Sequence, residues 1–314
     1  MQKRALGQSP IEIAPIVFGG NVFGWTADKK TTFELLDRFV DEGFNAIDTA
    51  DVYSAWAPGN AGGESETLIG EWLADRKRRD DVVLMTKVGM WDAHPGLSAQ
   101  NIMTAVEASL RRLQTDYIDV YFAHRDDQDT PLEETLNAFG KLKKAGKIRT
   151  VGASNYDSDR LAQALKIADG HDLARYDVLQ PEYNLHARQG YEGALRDVAT
   201  EYDLGVVTYF SLASGFLTGK YASKADIAGT DREGMLGGFF DERGQSILAA
   251  LKRVADELEV QQAQVALAWL IQKAGVTAPI ASARSVRQLV ETLGAAKITL
   301  TDGQMGLLDD ASAF

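Results

Sequence analysis

The feature that most constrains the fold is a regular alternation of short apolar segments with segments of helical period. Residues 81–89, 117–124 and 148–154 are typical of buried strands, and a stretch with apolar residues every three to four positions follows each one. About eight such strand-helix units fit along the chain, which is the period of a (β/α)8 barrel. The opening segment predicts a short hairpin that turns near Gly7 to Pro10. The sequence therefore predicts an α/β fold, a (β/α)8 TIM barrel with an N-terminal β-hairpin.

No linker rich in proline, serine or charge divides the 314 residues, so residues 1–314 are predicted to form a single domain. The glycine-rich segment 216–244 interrupts the regular alternation. Segments of that length are usually functional lids or flexible insertions, and the sequence does not favour one over the other.

Composition excludes several classes of function. The net charge of −12 argues against broad nucleic-acid binding and against a polybasic membrane contact. The chain has no cysteine, and its four histidines lack paired ligand spacing, so no metal site is predicted. The N-terminus lacks an apolar signal region and no apolar run is long enough to span a membrane, which predicts a cytoplasmic protein.

Polar side chains follow several predicted strands at the point where each strand ends. Asp48 ends the second strand and Tyr53 lies in the loop after it, while Lys87 ends the third strand and His124 the fourth. Any one of them alone is more often a capping, rim or structural residue. Because active sites of (β/α)8 barrels lie at the C-terminal ends of the strands, we expect all four in one mouth. Asp51 lies between the first two and is given no role.

These residue types suit proton transfer to an oxyanion. A free tyrosine has a pKa of about 10, and a nearby ammonium favours the phenolate and lowers that pKa. Asp48 would keep Lys87 charged, and His124 would hydrogen-bond a carbonyl oxygen. Tyr53 is therefore expected to protonate an alkoxide, for which hydride from a nicotinamide is the obvious source.

Taken together and in order, the motifs resemble the aldo-keto reductase superfamily, of the bacterial NADP(H)-dependent oxidoreductase type. They run from Phe18 to Glu291 and read FNAIDTADVY, LMTKVG, VYFAHRDD, VGASN, LQPEYNL, TYFSLASGFLTGKY and SARSVRQLVE. The resemblance implies reversible, NADPH-dependent reduction of an aldehyde or ketone to an alcohol, without a metal. By this resemblance Tyr53 is the general acid/base, tuned by Lys87 and Asp48. His124 orients the substrate carbonyl.

The resemblance also places the cofactor. Ser154, Asn155 and Gln180 match positions that hydrogen-bond the nicotinamide carboxamide, and Tyr209 matches the aromatic residue that stacks on the ring. The run 211–220 matches the loop that covers the pyrophosphate. The other implied cofactor positions are Asp48, Ser211, Leu212, Gly215, Lys220, Ser282, Arg284, Gln288 and Glu291.

Arg284 favours NADPH over NADH, because a guanidinium can clamp a 2′-phosphate with paired hydrogen bonds. The alternative is a solvated arginine at a helix start.

The substrate is predicted only in outline, as a small-molecule carbonyl or alcohol. Trp25, Trp56 and Trp91 follow the first three barrel strands and would line a pocket for a bulky or apolar carbonyl. Each of these rings could instead pack under a loop. Trp72 and Trp269 fall inside helices and are expected in the core.

Two other functions remain open. One is a nicotinamide-binding regulatory module that docks on a partner and turns over slowly, resembling potassium-channel β subunits. The other is a lyase or aldolase that uses Lys87 as a Schiff base. The sequence does not predict the oligomeric state.

Overall fold

Eight parallel strands close into a barrel in the computed structural model, which describes residues 2–221, 223–227 and 233–314. The barrel strands are β3 (Val17–Gly19), β4 (Ala46–Asp48), β5 (Val83–Val88), β6 (Ile118–Ala123), β7 (Ile148–Ser154), β8 (Val178–Gln180), β9 (Gly205–Thr208) and β10 (Ala278–Ala281). They pair in chain order, and β10 pairs with β3 to close the ring. An antiparallel pair, β1 (Arg4–Ala5) with β2 (Glu12–Ile13), precedes them. The predicted fold class is confirmed.

Helices surround the barrel. They are α1 (Lys29–Asp41), α2 (Glu64–Arg76), α3 (Ala99–Leu113), α4 (Leu132–Lys144), α5 (Ser158–His171), α6 (Ala194–Glu201), α7 (Glu233–Leu236), α8 (Glu242–Leu258), α9 (Gln262–Gln272), α10 (Val286–Leu293) and α11 (Asp302–Ala311). None of the described helices combines the length and the apolar composition that a membrane crossing requires.

Local sequence signals set several helix ends. The Ser98 side chain accepts a hydrogen bond from the N–H of Asn101, as the predicted N-cap of α3. Gly43 and Gly146 follow α1 and α4 and have φ of 87° and 73°. This left-handed conformation ends many helices, and glycine adopts it more readily than other residues. α4 begins at Leu132, so Pro131 is its N-cap rather than part of its first turn.

Strand alternation divides the apolar residues into two cores. Inward-facing residues such as Met85, Val120 and Phe122 fill the barrel, and Ile13 of the hairpin packs with them from the N-terminal end. Outward-facing residues pack against the helices. Trp72 and Trp269 are fully buried in this outer core, as predicted. The filled interior leaves the opposite, C-terminal mouth for polar side chains.

Segment 216–244 contains two 3-10 turns, Lys224–Asp226 and Gly237–Phe239, together with α7. Phe216 and Leu236 are buried in the outer core, and the Phe216 ring stacks on Phe239 at 5.4 Å. Phe216, Ile227 and Leu236 therefore pack on the barrel, whereas residues 223–226 are exposed. The sequence left open whether segment 216–244 is a lid or an insertion. Residues 222 and 228–232 of that segment lie outside the described residues.

Candidate active site at the C-terminal mouth of the barrel

Lys87 lies inside the barrel because strand alternation gives it the same face of β5 as Met85. Asp48 ends β4, the neighbouring strand, and its Cα pairs with that of Met85. Tyr53 follows β4 in a turn, so its ring lies above both strands. The chain thus brings a carboxylate, an ammonium and a phenol together from two adjacent strands.

The Lys87 ammonium is the centre of the cluster. Its Nζ donates to Asp48 Oδ2 at 2.7 Å, to the Thr49 carbonyl oxygen at 2.7 Å and to the Tyr53 hydroxyl oxygen at 2.9 Å. Lys87 is fully buried and Asp48 is 2% exposed. Such charge-assisted hydrogen bonds fix the ammonium against the phenol oxygen.

A hydrogen-bond chain continues from this cluster around the mouth. Gln180 Nε2 donates to Asp48 Oδ1 at 2.9 Å, and Ser154 Oγ donates to the Gln180 carbonyl oxygen at 2.9 Å. The Tyr209 hydroxyl donates to Asn155 Oδ1 at 2.7 Å. Four strand ends, β4, β7, β8 and β9, are therefore linked through their polar side chains.

His124 follows β6 and is buried beside the same cluster. Its ring centroid lies 6.0 Å from that of Tyr53, and its Nδ1 has no hydrogen-bond partner among the described residues. Burial, and then the charges of Lys87 and Arg125, hold its pKa well below the usual value. His124 is therefore a neutral imidazole at physiological pH, with one N–H to donate.

Tyr53 does not have the lowered pKa expected from its sequence neighbours. Burial first, and then the Asp48 carboxylate, raise the pKa of the Tyr53 hydroxyl well above 10. The expectation that Lys87 alone would lower it was wrong, because it left out desolvation and the carboxylate behind the lysine. Burial likewise lowers the pKa of Lys87, although Asp48 opposes that shift. A phenol with a pKa raised above 10 is protonated at physiological pH.

Residues predicted to cover the pyrophosphate form an irregular turn after β9. Ala213, Ser214 and Gly215 have φ of 46°, 55° and 95°, and Phe210 has φ of 50°. The N–H groups of Ala213 and Gly215 donate to the Phe210 and Leu212 carbonyl oxygens at 2.7 Å and 2.8 Å, so both are used within the turn itself. Ser211 is buried and bonded to the Thr208 carbonyl oxygen, whereas Leu212 is half-buried and Lys220 exposed.

The predicted phosphate pocket lies elsewhere on the rim, between the end of β10 and the start of α10. Gln288 accepts a hydrogen bond from the Arg284 backbone N–H, and Glu291 pairs with Arg287 at 2.9 Å. The exposed Arg284 guanidinium has no ion-pair partner within the described part of the chain. A guanidinium without an ion-pair partner is suited to binding a phosphate or carboxylate group.

Sequence reasoning missed Asn21 in this region. Its Oδ1 accepts a hydrogen bond from Ser282 Oγ at 2.6 Å, which joins the loop after β3 to the end of β10. Asn21 lies just past a predicted strand end, and that position was the signal that could have identified it.

The three predicted substrate tryptophans separate into two groups. Trp25 and Trp56 are 46% and 48% exposed and meet edge to face at 5.9 Å, and Trp56 lies 5.8 Å from the Tyr53 ring. Trp91 is half-buried and packs against His94 at 5.1 Å, beneath the loop that contains Gly62. Trp25 and Trp56 therefore form the apolar wall nearest the phenol.

The sequence profile of the aldo/keto reductase family matches residues 15–313, and the chain belongs to that family. The recognition made from the sequence motifs is confirmed.

Named relatives cover nearly the whole chain. A probable voltage-gated potassium channel subunit beta of Oryza sativa subsp. japonica is 35% identical, across 94% of this chain and 91% of its own. An uncharacterized oxidoreductase, YrpG, of Bacillus subtilis (strain 168) is 33% identical, across 99% and 95% respectively. Norsolorinic acid reductase B of Aspergillus parasiticus is 31% identical, across 98% and 81%. The family and these named oxidoreductases support an oxidoreductase.

Proposed function

We propose that the protein reduces an aldehyde or ketone to an alcohol with NADPH, reversibly, and that Tyr53 is the proton donor. The observation that carries this proposal is the buried Lys87 Nζ, 2.9 Å from the Tyr53 hydroxyl oxygen and 2.7 Å from Asp48 Oδ2. A phenol fixed against an ammonium at the mouth of a barrel is suited to protonating an oxygen that becomes negative.

The raised pKa of Tyr53 fits the role of donor in the reducing direction. Bound NADPH would supply the hydride that turns the carbonyl oxygen into an alkoxide. An alkoxide is a far stronger base than a phenolate, so Tyr53 gives up its proton to it readily. The resulting phenolate is then stabilised by the Lys87 ammonium, whose own charge Asp48 supports.

His124 orients the carbonyl in this proposal. A neutral imidazole can donate its N–H to the carbonyl oxygen without bringing a second full charge beside Lys87. The ring lies near the Tyr53 ring, so both donors can address the same oxygen.

Cofactor residues are proposed along the rim. Ser154, Asn155 and Gln180 would hold the carboxamide, and Tyr209 would stack on the nicotinamide. Ser211, Leu212, Gly215 and Lys220 would contact the pyrophosphate, and Ser282, Arg284, Gln288 and Glu291 the adenosine end. The unpaired Arg284 supports NADPH over NADH.

We propose a bulky, apolar carbonyl substrate, because the exposed Trp56 ring lies beside Tyr53 and the exposed Trp25 ring packs against Trp56. Trp91 would contact only the part of such a substrate that lies away from Tyr53. The name of the Aspergillus parasiticus relative, norsolorinic acid reductase B, fits a bulky substrate.

Single-domain organisation and a cytoplasmic location stay predictions from the sequence.

The test is NADPH and NADH consumption against a panel of carbonyls, from small aliphatic aldehydes to polycyclic ketones. We expect the alcohol to form in step with NADPH oxidation, and bulky aromatic carbonyls to have the lowest KM. Absence of turnover with every carbonyl at saturating NADPH would refute the proposal.

A second candidate is a nicotinamide-binding module that docks on a partner. The observation that favours it is the 35% identity to a probable potassium channel subunit beta. Tight NADPH binding without carbonyl turnover would support this candidate. A Schiff-base enzyme is disfavoured, because Lys87 Nζ already donates to three oxygens.

A further inference from the structure

Asp51 is a buried carboxyl group that the proposed reaction does not use. It follows β4 and is 1% exposed, and its backbone N–H donates to the Lys87 carbonyl oxygen at 3.3 Å. Neither carboxyl oxygen has a hydrogen-bond partner among the described residues. A buried carboxyl group with both oxygens unpartnered is costly, so a purely structural role does not account for it.

Every element around Asp51 contributes a titratable or charged group. These are Glu66 from α2, Arg112 from α3, Lys87 from β5 and Tyr121 from β6. Arg112 does not neutralise Asp51 through a hydrogen bond, because its Nε donates to Glu66 Oε2 at 2.7 Å. Glu66 Oε1 in turn accepts from Thr86 Oγ1 at 2.5 Å.

Tyr121 shares the isolation of Asp51. Its hydroxyl is also buried without a partner among the described residues, and after burial the Asp51 charge does most to raise its pKa. Two unpartnered polar groups in one buried place are commonly bridged by internal water, which would give the Asp51 proton an exit.

These surroundings make the Asp51 charge variable. Burial, and then Glu66, raise its pKa from 3.8 to about 7, against the opposing effects of the Arg112 charge, a weak interaction with the Val52 backbone N–H, and the Lys87 charge. The influence is mutual: the Asp51 carboxylate raises the pKa of Lys87, which burial lowers. Lys87 is therefore paired with the Asp48 carboxylate, and it also feels, without direct contact, the charges of Asp51 and Glu66, of which that of Asp51 depends on pH.

We propose that Asp51 is a positioning residue of the active site, a buried carboxyl whose uptake and release of a proton adjusts the Lys87 ammonium and, through it, proton transfer from Tyr53. The proposal rests on the proposed reductase function. With Asp51 ionised, the ammonium is held charged beside the phenol. With Asp51 protonated, that support is removed and the proton stays on the carboxyl.

The test compares pH profiles of kcat and kcat/KM for the wild type and Asp51→Asn. We expect an inflection near neutral pH in the wild type and its loss in the variant. The alkaline decline, where Lys87 loses its charge, should move to lower pH by about one unit. Asp51→Glu keeps a carboxyl group and should restore the inflection.

Asp119→Asn is the matched control. Asp119 is also 1% exposed, but it lies near the start of β6 and pairs with Arg79 and Arg149. Its isosteric change should leave the pH profile unaltered. An unchanged profile in Asp51→Asn, or the same shift in Asp119→Asn, would overturn the proposal.

A second measurement needs no turnover. Infrared difference spectra should show the C=O stretch of a protonated carboxyl that titrates near neutral pH in the wild type and is absent from Asp51→Asn. In Lys87→Met the same band should titrate at higher pH, because a positive charge beside Asp51 is gone. Absence of the band, or no shift in Lys87→Met, contradicts the Asp51 proposal. Failure of the wild type to reduce any carbonyl would refute only the reductase.

Discussion

Replacing Lys87 by methionine tests whether the buried ion pair holds the mouth of the barrel together. Methionine matches the length of the side chain but removes the ammonium and its three hydrogen bonds. Asp48, 2% exposed, then keeps the Gln180 amide as a donor at 2.9 Å and the Tyr53 hydroxyl as a weaker one at 3.4 Å. Breaking a buried pair by removing one partner costs about 3–5 kcal/mol. Because Gln180 still donates, we expect a loss of about 3 kcal/mol in the free energy of unfolding.

Adding Asp48→Asn to Lys87→Met removes the stranded carboxylate. The double variant should therefore be more stable than the sum of the single effects by about 2 kcal/mol. Urea unfolding, followed by circular dichroism and tryptophan fluorescence, measures the free energy of unfolding of the wild type, Lys87→Met, Asp48→Asn and the double variant. Arg253→Met serves as the control, because the Arg253–Glu257 pair is exposed on α8 and should contribute nothing measurable. Additive effects, or a Lys87→Met variant as stable as the wild type, would refute this reasoning.

Three further predictions concern the cofactor, the packing and the pH dependence of stability. Arg284→Leu should raise the KM for NADPH roughly 10- to 100-fold and leave that for NADH unchanged, because the guanidinium would bind only the 2′-phosphate. Gly70→Ala should destabilise the protein by more than about 2 kcal/mol, since the new Cβ would lie 2.0 Å from the Arg112 carbonyl oxygen across the α2–α3 contact. The free energy of unfolding should fall as pH rises from about 4 to about 7, by up to about 4 kcal/mol, because native Asp51 retains a proton that the unfolded chain has lost. Asp51→Asn should remove most of that slope in urea unfolding measured across the pH range.

Matched variants define the contradicting results. Arg287→Leu should leave both cofactor KM values unchanged, and an equal rise of the NADH and NADPH values in Arg284→Leu would reject the phosphate clamp. Gly140→Ala, where the added Cβ meets the Ala174 Cβ at 3.6 Å and the Ala174 backbone nitrogen at 3.7 Å, both ordinary contacts, should be neutral or stabilising. A stable Gly70→Ala variant would mean that α2 and α3 can move apart freely. If the free energy of unfolding of Asp51→Asn still falls with rising pH, that pH dependence belongs to another group.

Sequence patterns predicted the parts of this molecule that depend on chain order. Parallel strands place their C-terminal ends on one side, so Asp48, Lys87 and His124 could be grouped before any coordinates existed. The structure brings Asp48, Tyr53 and Lys87 within hydrogen-bonding distance and His124 beside them. Their catalytic roles stay predictions.

Properties set by burial could not be predicted from the sequence. The direction of the Tyr53 pKa shift depends on desolvation and on which carboxylate faces the phenol, and neither follows from residue spacing. The isolation of Asp51 is visible only when Arg112 is seen to pair with Glu66 instead. Trp91 packs under the Gly62 loop, because loop geometry rather than the strand order decides where a rim residue points.

The central claim is that the Tyr53 hydroxyl supplies the proton in carbonyl reduction. The most direct test is single-turnover reduction of a carbonyl by enzyme preloaded with NADPH, in the wild type and in Tyr53→Phe. The claim predicts that the variant binds NADPH as the wild type does and reduces the carbonyl at least roughly 10²- to 10⁴-fold more slowly. A matched Tyr209→Phe variant keeps its ring and should lose far less. A Tyr53→Phe enzyme that reduces the carbonyl at the wild-type rate would contradict the claim.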